Sequence, residues 1–165
     1  MIGEANQMFT FGRFEEAIPL FEKVLKEMPA LADVTHQLAM CHLELGNLEK
    51  ALIYAKISAT ESRTDSDKWQ QCADIALRLN QVVLAKKLLN RAVGSLNPSQ
   101  HQEILQLKMR KFEIYRQQQD YGQIHRSIAK LINYYESLTT LEPSQKEPVF
   151  KMLKKIKYET FYKQG

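Results

Sequence analysis

The sequence is poor in residues that break helices. Its 165 residues include 6 glycines and 5 prolines, well under the roughly 12% combined share of an average chain, which points to long uninterrupted helices. Cysteine is scarcer still. Cys41 and Cys72 cannot build a disulfide scaffold and suit a reducing compartment; both read as small buried thiols. No run approaches the roughly 18 apolar residues of a membrane-spanning helix. Glu4 and Asn6 interrupt any apolar core at the N-terminus, so no secretory signal is expected there. A glycine-rich phosphate loop and a Gly-x-Ser-x-Gly elbow are both missing. No Ser, Cys or Thr stands at a fixed helical spacing from a plausible base. We therefore expect no enzyme, no catalytic residue and no cofactor. His36 and Met40 share a helix face but make a poor zinc set, and His42 sits in a packing column with Met8 and Ala76, so no metal is expected.

What the sequence does have is a period. Ala17, Ala51 and Ala85 are 34 residues apart, as are Ala5, Ala39 and Ala73. Phe14, Leu48 and Val82 keep the same interval, and so do Phe21, Ala55 and Leu89. Gly12 and Gly46 continue the pattern, with Asn80 in the third place. Each unit reads as two helices around a tight turn. In the second, Leu38, Cys41, His42 and Leu45 recur at helical spacing, Gly46-Asn47 breaks the helix, and Leu48, Ala51, Leu52 and Ala55 resume it. A methyl group between two helices lets their backbones approach closely. Such a pair cannot bury its apolar face alone and must stack on its neighbours.

These residue classes resemble the tetratricopeptide repeat, TPR below, through Gly12, Phe14, Ala17, Phe21 and Pro29 in unit one. Unit three matches through Trp69, Ala73, Ala85, Leu89 and Ala92, with Pro98 one place late; in unit two Ser58 and Arg63 replace the usual Ala and Pro. The resemblance implies an all-α, right-handed superhelical solenoid of antiparallel helix pairs. Three units cover about 1–31, 32–65 and 66–98. A fourth, irregular pair spans 99–141, its turn at Asp120-Tyr121-Gly122 falling five residues late and its first helix running from roughly 99 to 118. Ile124, Ile128 and Leu131 stand there where small residues are expected. Pro143 and Pro148 bracket a short break, and a terminal helix within 144–163 is either a cap or the start of a further unit. Pro19, inside the second helix, implies a slight kink.

In TPR arrays the first helix of each pair lines a concave groove for a partner peptide. The resemblance places Asn6 and Phe9 there from unit one, and Asp33, His36, Gln37, Met40 and Leu43 from unit two. Unit three adds Asp67, Gln70, Asp74 and Arg78, and unit four Met109, Glu113 and Arg116. Phe9, Met40, Leu43 and Met109 read as apolar groups that packing does not require, so the expected partner carries basic and apolar residues. A chaperone-peptide adaptor is one alternative, but the columns of its carboxylate clamp hold Ile2, Asn6, Gln37, Asp67 and Gln71, of which only Asn6 matches. Charge supplies another. Residues 1–65 hold 6 Lys/Arg against 10 Asp/Glu, and residues 66–165 hold 17 against 9. Lys146, Lys151, Lys154, Lys155, Lys157 and Lys163 alternate with Phe150, Tyr158, Phe161 and Tyr162, so contact with DNA or another nucleic acid is the less favoured alternative.

Several segments are similar to one narrower family, the TPR subunits of transcription factor IIIC, which serves RNA polymerase III. They are Gly3-Glu4-Ala5-Asn6 with Phe9, Gly12 and Glu15-Glu16-Ala17-Ile18; Leu38-Ala39-Met40 with Gly46 and Glu49-Lys50; Asp65-Ser66-Asp67 leading to Trp69; and Leu96-Asn97-Pro98-Ser99. That resemblance implies a fragment of a longer N-terminal array and a non-catalytic scaffold. Its partners would be the TFIIB-related subunit of initiation factor IIIB and other factor IIIC subunits, its location the nucleus, or otherwise the cytoplasm, with no membrane partner.

Overall fold

A computed structural model describes residues 1–29 and 31–164, and the described residues are helical, with no strand. The helices are α1 (Ile2–Thr10), α2 (Phe14–Glu27), α3 (Ala32–Glu44), α4 (Leu48–Glu61), α5 (Ser66–Arg78), α6 (Val82–Ser95), α7 (His101–Gln117), α8 (Tyr121–Ser137) and α9 (Pro143–Gln164). Among the described residues, no helix is long and apolar enough to cross a membrane. The chain forms two compact units, Met1–Ile104 and the residues from Leu105 onward.

In the first unit each of α1 to α5 packs on the next helix in sequence, ending at α6. The alanine columns explain why these helices can come so close. Ala5, Ala39 and Ala73 are buried, as are Ala17, Ala51 and Ala85. A larger side chain there would overpack the interface, at a cost of about 1–3 kcal/mol. Phe21, Val24, Val34, Leu38 and Cys41 close one end of this core with Ala5 and Ala17. Pro19 lies within α2 on its exposed side, so the helix continues past the missing N–H.

In the second unit, Phe112 and Tyr115 of α7, Ile124, Ile128, Leu131 and Tyr135 of α8, and Leu153 and Ile156 of α9 share one core. Large side chains have taken the place of the methyl groups, so shape complementarity rests on rings and branched chains. Here the structure departs from the sequence reading twice. Pro148 sits inside α9 rather than ending a break before it. The fourth turn is also not built on Gly122, which lies in the first turn of α8.

The turns share one geometry. In the second unit of the repeat, Gly46 N–H donates to Leu43 C=O (3.1 Å) and Asn47 N–H to His42 C=O (2.8 Å), the double bond that caps a helix around a left-handed residue. Asn80 and Gln81 repeat it onto Leu77 and Ala76, and Gln119 and Asp120 onto Arg116 and Tyr115. The residue in the left-handed position is Gly46 (φ 78°), then Asn80 (φ 61°), then Gln119 (φ 56°). Glutamine there works against its own Cβ. We expect Gln119→Gly to stabilise the fold by about 0.5–1 kcal/mol and Gly46→Ala to destabilise it by about 1 kcal/mol. A methyl at Gly122 meets Arg126 and Asp120 no closer than 3.7 Å, so Gly122→Ala is expected to be neutral or stabilising. Urea unfolding of the three variants checks the set.

His42 is the uncommon member of the core. It is 3% exposed, and its ring stacks on Tyr54 with centroids 5.6 Å apart and planes 2° from parallel. Among the described residues, neither ring nitrogen has a hydrogen-bond partner. Burial and then Lys50 hold its pKa below the ordinary histidine value, with Glu22 opposing. His36 is lowered as well, again chiefly by burial. A folded-state pKa below the unfolded value near 6.5 means that the unfolded chain binds more protons once the pH drops below about 6.5. Stability is therefore expected to be full above that pH and to decline as the pH falls below it. His42→Phe keeps the stacked ring and is expected to remove part of that acid sensitivity, read as the change in melting temperature between pH 7.5 and pH 5.

Candidate protein-binding face

The first helices of the repeat units, α1, α3 and α5, carry the expected groove residues of the first unit. Asp65 begins α5 as its N-cap: its Oδ1 accepts the N–H groups of Asp67 (3.1 Å) and Lys68 (3.4 Å), covering two donors that the helix leaves unpaired. That cap aims the first turn of α5 toward α3. Between them lies a concavity of about 410 Å³ lined by His36, Asp65, Asp67, Lys68, Gln70, Gln71 and Asp74.

The concavity is acidic. Three carboxylates line it against one ammonium, and Lys68 Nζ is drawn back to Ser62 Oγ at 3.0 Å. Gln70 Nε2 donates to Ser66 Oγ (3.2 Å) and Asp67 Oδ1 (3.5 Å), which fixes one wall. Burial, and secondarily Lys68, keep the His36 pKa low, while Asp33 and Asp65 pull the other way. His36 is therefore neutral at pH 7, with one ring nitrogen able to donate and the other able to accept. The arrangement offers carboxylates, amides and an imidazole to a partner, which suits a segment carrying positive charge.

Of the residues expected from sequence, His36, Asp67, Gln70 and Asp74 meet in this concavity. Met40 is half-buried beside it, its sulfur accepting Gln71 Nε2 at 3.3 Å. Gln37 and Leu43 are half-buried on α3, and Arg78 is exposed in the last turn of α5. Asn6 is exposed on α1, its carbonyl accepting Thr10 Oγ1 at 2.9 Å. Phe9 has a packing role, contrary to expectation: its ring meets Phe14 and Phe21 edge-on, at 5.6 and 6.5 Å. Met109 is likewise packed against the core of the second unit. Glu113 and Arg116 form an exposed pair at 3.3 Å on the same helix. Asp65 and Lys68 escaped the sequence reading as groove residues: Asp65 precedes α5, and Lys68 is not among the positions that the TPR resemblance carries over. The Asp-Ser-Asp capping signal was the clue that they stand at its mouth.

Neither cysteine is placed for chemistry. Cys41 and Cys72 are buried, and burial pushes both thiols up to about 11, the opposite of an activated nucleophile. Among the described residues no group of three or more His, Cys, Asp or Glu is placed to hold a metal ion.

Residues 8–56 match the family model described as Tetratricopeptide repeat. That segment, under a third of the chain, is what is similar to the tetratricopeptide repeat. Human General transcription factor 3C polypeptide 3 is 29% identical over 82 residues, covering 50% of this chain and 9% of that protein. The match thus spans less than a tenth of that relative's length. A crystal structure of MamA protein superposes with a TM-score of 0.59 at 18% identity, covering 96% of this chain and 82% of that one. A second MamA structure gives 0.57 at 17% identity, covering 97% and 94%. Identities that low make the likeness one of fold, the all-α TPR solenoid class. Tetratricopeptide repeats indicate a protein-interaction scaffold. Asp65→Ala removes the cap at the mouth of that concavity and is expected to cost about 1 kcal/mol of stability, while Asp65→Asn retains most of it; denaturant midpoints distinguish the two.

Proposed function

We propose that this TPR chain is a docking segment that recruits initiation factor IIIB to RNA polymerase III genes, acting in the nucleus as part of a factor IIIC TPR subunit. The observation that carries the reading is its 29% identity over 82 residues to human General transcription factor 3C polypeptide 3. In this reading the partner is the TFIIB-related subunit of factor IIIB, with other factor IIIC subunits flanking it. A basic and apolar segment of that subunit lies along α1, α3 and α5, a positive side chain entering the concavity of His36, Asp67, Gln70 and Asp74. Met40 and Leu43 supply apolar contact beside it. Affinity comes from desolvating a few anchors and specificity from the charge match. A chaperone-peptide adaptor is disfavoured, because Asp67 lies where an acidic C-terminal peptide would bring its own carboxylate.

Purified chain is expected to be retained by the TFIIB-related subunit and not by a Glu-Glu-Val-Asp peptide. Retention by the peptide alone would replace this reading with an adaptor role. Met40→Glu, which removes an apolar contact, and Asp74→Lys, which reverses a charge in the concavity, are each expected to weaken retention at least about fivefold, as changes at an interface anchor do, with the helical circular dichroism signal unchanged. Unaltered affinity in both variants would remove this face as the docking surface.

A further inference from the structure

The last helix has a feature that the docking role does not use. With 3.6 residues per turn, Lys151, Lys154, Lys155, Tyr158, Phe161 and Tyr162 share one side of α9. The opposite side carries Leu153, Ile156 and Thr160, all buried. The rings on the outer side stay in solvent: Tyr158 is 62%, Phe161 68% and Tyr162 64% exposed. Tyr158 and Tyr162 meet across one turn with centroids 4.4 Å apart, and Phe161 stands edge-on to Tyr162 at 6.1 Å. Lys151 reaches Glu147 at 3.4 Å in an exposed pair, which restrains it little. Among the described residues, Lys154 and Lys155 have no ion-pair partner.

The surroundings share that sign. From Leu105 onward the chain holds twelve Lys and Arg against six Asp and Glu, a net charge of +6, whereas residues 1–104 hold eleven against thirteen, a net of −2. Burial, and after it Lys111 and Lys130, lower the Lys108 pKa. A positive field would attract any polyanion. The rings narrow the class. An acidic peptide has no need of three solvent-facing aromatic groups, whereas a nucleic-acid strand with unpaired bases needs both charge for its phosphates and flat faces for its bases.

We infer that the outer face of α9 binds single-stranded nucleic acid, Lys151, Lys154 and Lys155 meeting phosphates while Tyr158, Phe161 and Tyr162 stack against bases. This is a contact separate from the protein-docking face, and it stands or falls independently of the factor IIIB reading.

The test is fluorescence anisotropy of the full chain with a labelled oligo-dT strand across a salt series. Duplex DNA, a poly-glutamate peptide and anionic phosphatidylserine vesicles serve as comparison probes. Binding of oligo-dT should exceed that of all three. Lys151→Glu/Lys154→Glu/Lys155→Glu should weaken it at least about tenfold and flatten the logarithmic salt slope by about 2, the share of three phosphate contacts to a single strand. Tyr158→Ala/Tyr162→Ala should weaken it about tenfold and leave that slope unchanged. Both variants alter only exposed positions, so their helical signal should match the parent. No binding of oligo-dT would overturn the inference, as would equal affinity in the parent and both variants. Equal or tighter binding of the duplex, the peptide or the vesicle would overturn it in favour of that partner.

Discussion

The close approach of paired helices at alanine is the constraint on which the first unit depends. Ala5 and Ala17, Ala39 and Ala51, and Ala73 and Ala85 are all buried, and each lies where two helices would otherwise be held apart by side chains. The distance between packed helices follows the size of the side chains at the contact. Repeating the same two methyl groups every 34 residues therefore repeats the same helix-pair geometry. Stacking then follows, because every pair exposes an apolar face that only another pair of the same shape can cover. The concavity between α3 and α5 is a by-product of that repetition: two first helices held in register, with polar groups left over on the side that packing does not need.

The second unit shows what happens when the constraint is lifted. Thirty-nine residues after Ala73 and Ala85 stand Phe112 and Ile124, both buried. A ring and a branched chain cannot reproduce a contact between methyl groups, so this unit fills its centre from three helices, α7, α8 and α9. The longer period and the larger core residues are two expressions of one change. The left-handed turn persists nonetheless. Its hydrogen bonds at Gln119 and Asp120 repeat those at Asn80 and Gln81, so turn geometry survives where both packing and glycine have been lost.

This contrast explains how much of the molecule could be read in its sequence. The period, the helix pairs and the buried alanines were legible because they rest on residue size at fixed spacing. The fourth turn was misplaced because glycine is the usual mark of a left-handed residue, and here Gln119 holds that position while Gly122 lies in a helix. Nothing in a glutamine announces a positive φ; only the hydrogen bonds behind it do. The candidate site was partly legible for a similar reason. His36, Asp67, Gln70 and Asp74 are placed by the resemblance to TPR first helices, and they line one concavity. Phe9 looks like a surface anchor in sequence, and its edge-on contacts with Phe14 and Phe21 depend on helix α2, which spacing along α1 does not describe. Asp65 and Lys68 are set by a cap, a local interaction that falls outside the period.

Charge follows its own division, and it bears on what the chain can hold. The first unit is mildly acidic, with three of its carboxylates lining the concavity beside α5, and the second is strongly basic. Exposed single charges contribute little to stability, so folding alone gives no reason to sort them by sign. Sorting does matter for association, since fields of opposite sign steer different partners to different faces. The same reasoning applies to the aromatic groups on α9. A helix that only needed to be soluble would carry polar residues opposite Leu153 and Ile156, and three rings there lower solubility without adding to the core. The acidic concavity beside α5 and the basic aromatic side of α9 therefore differ in both sign and chemistry, a division that folding alone does not require.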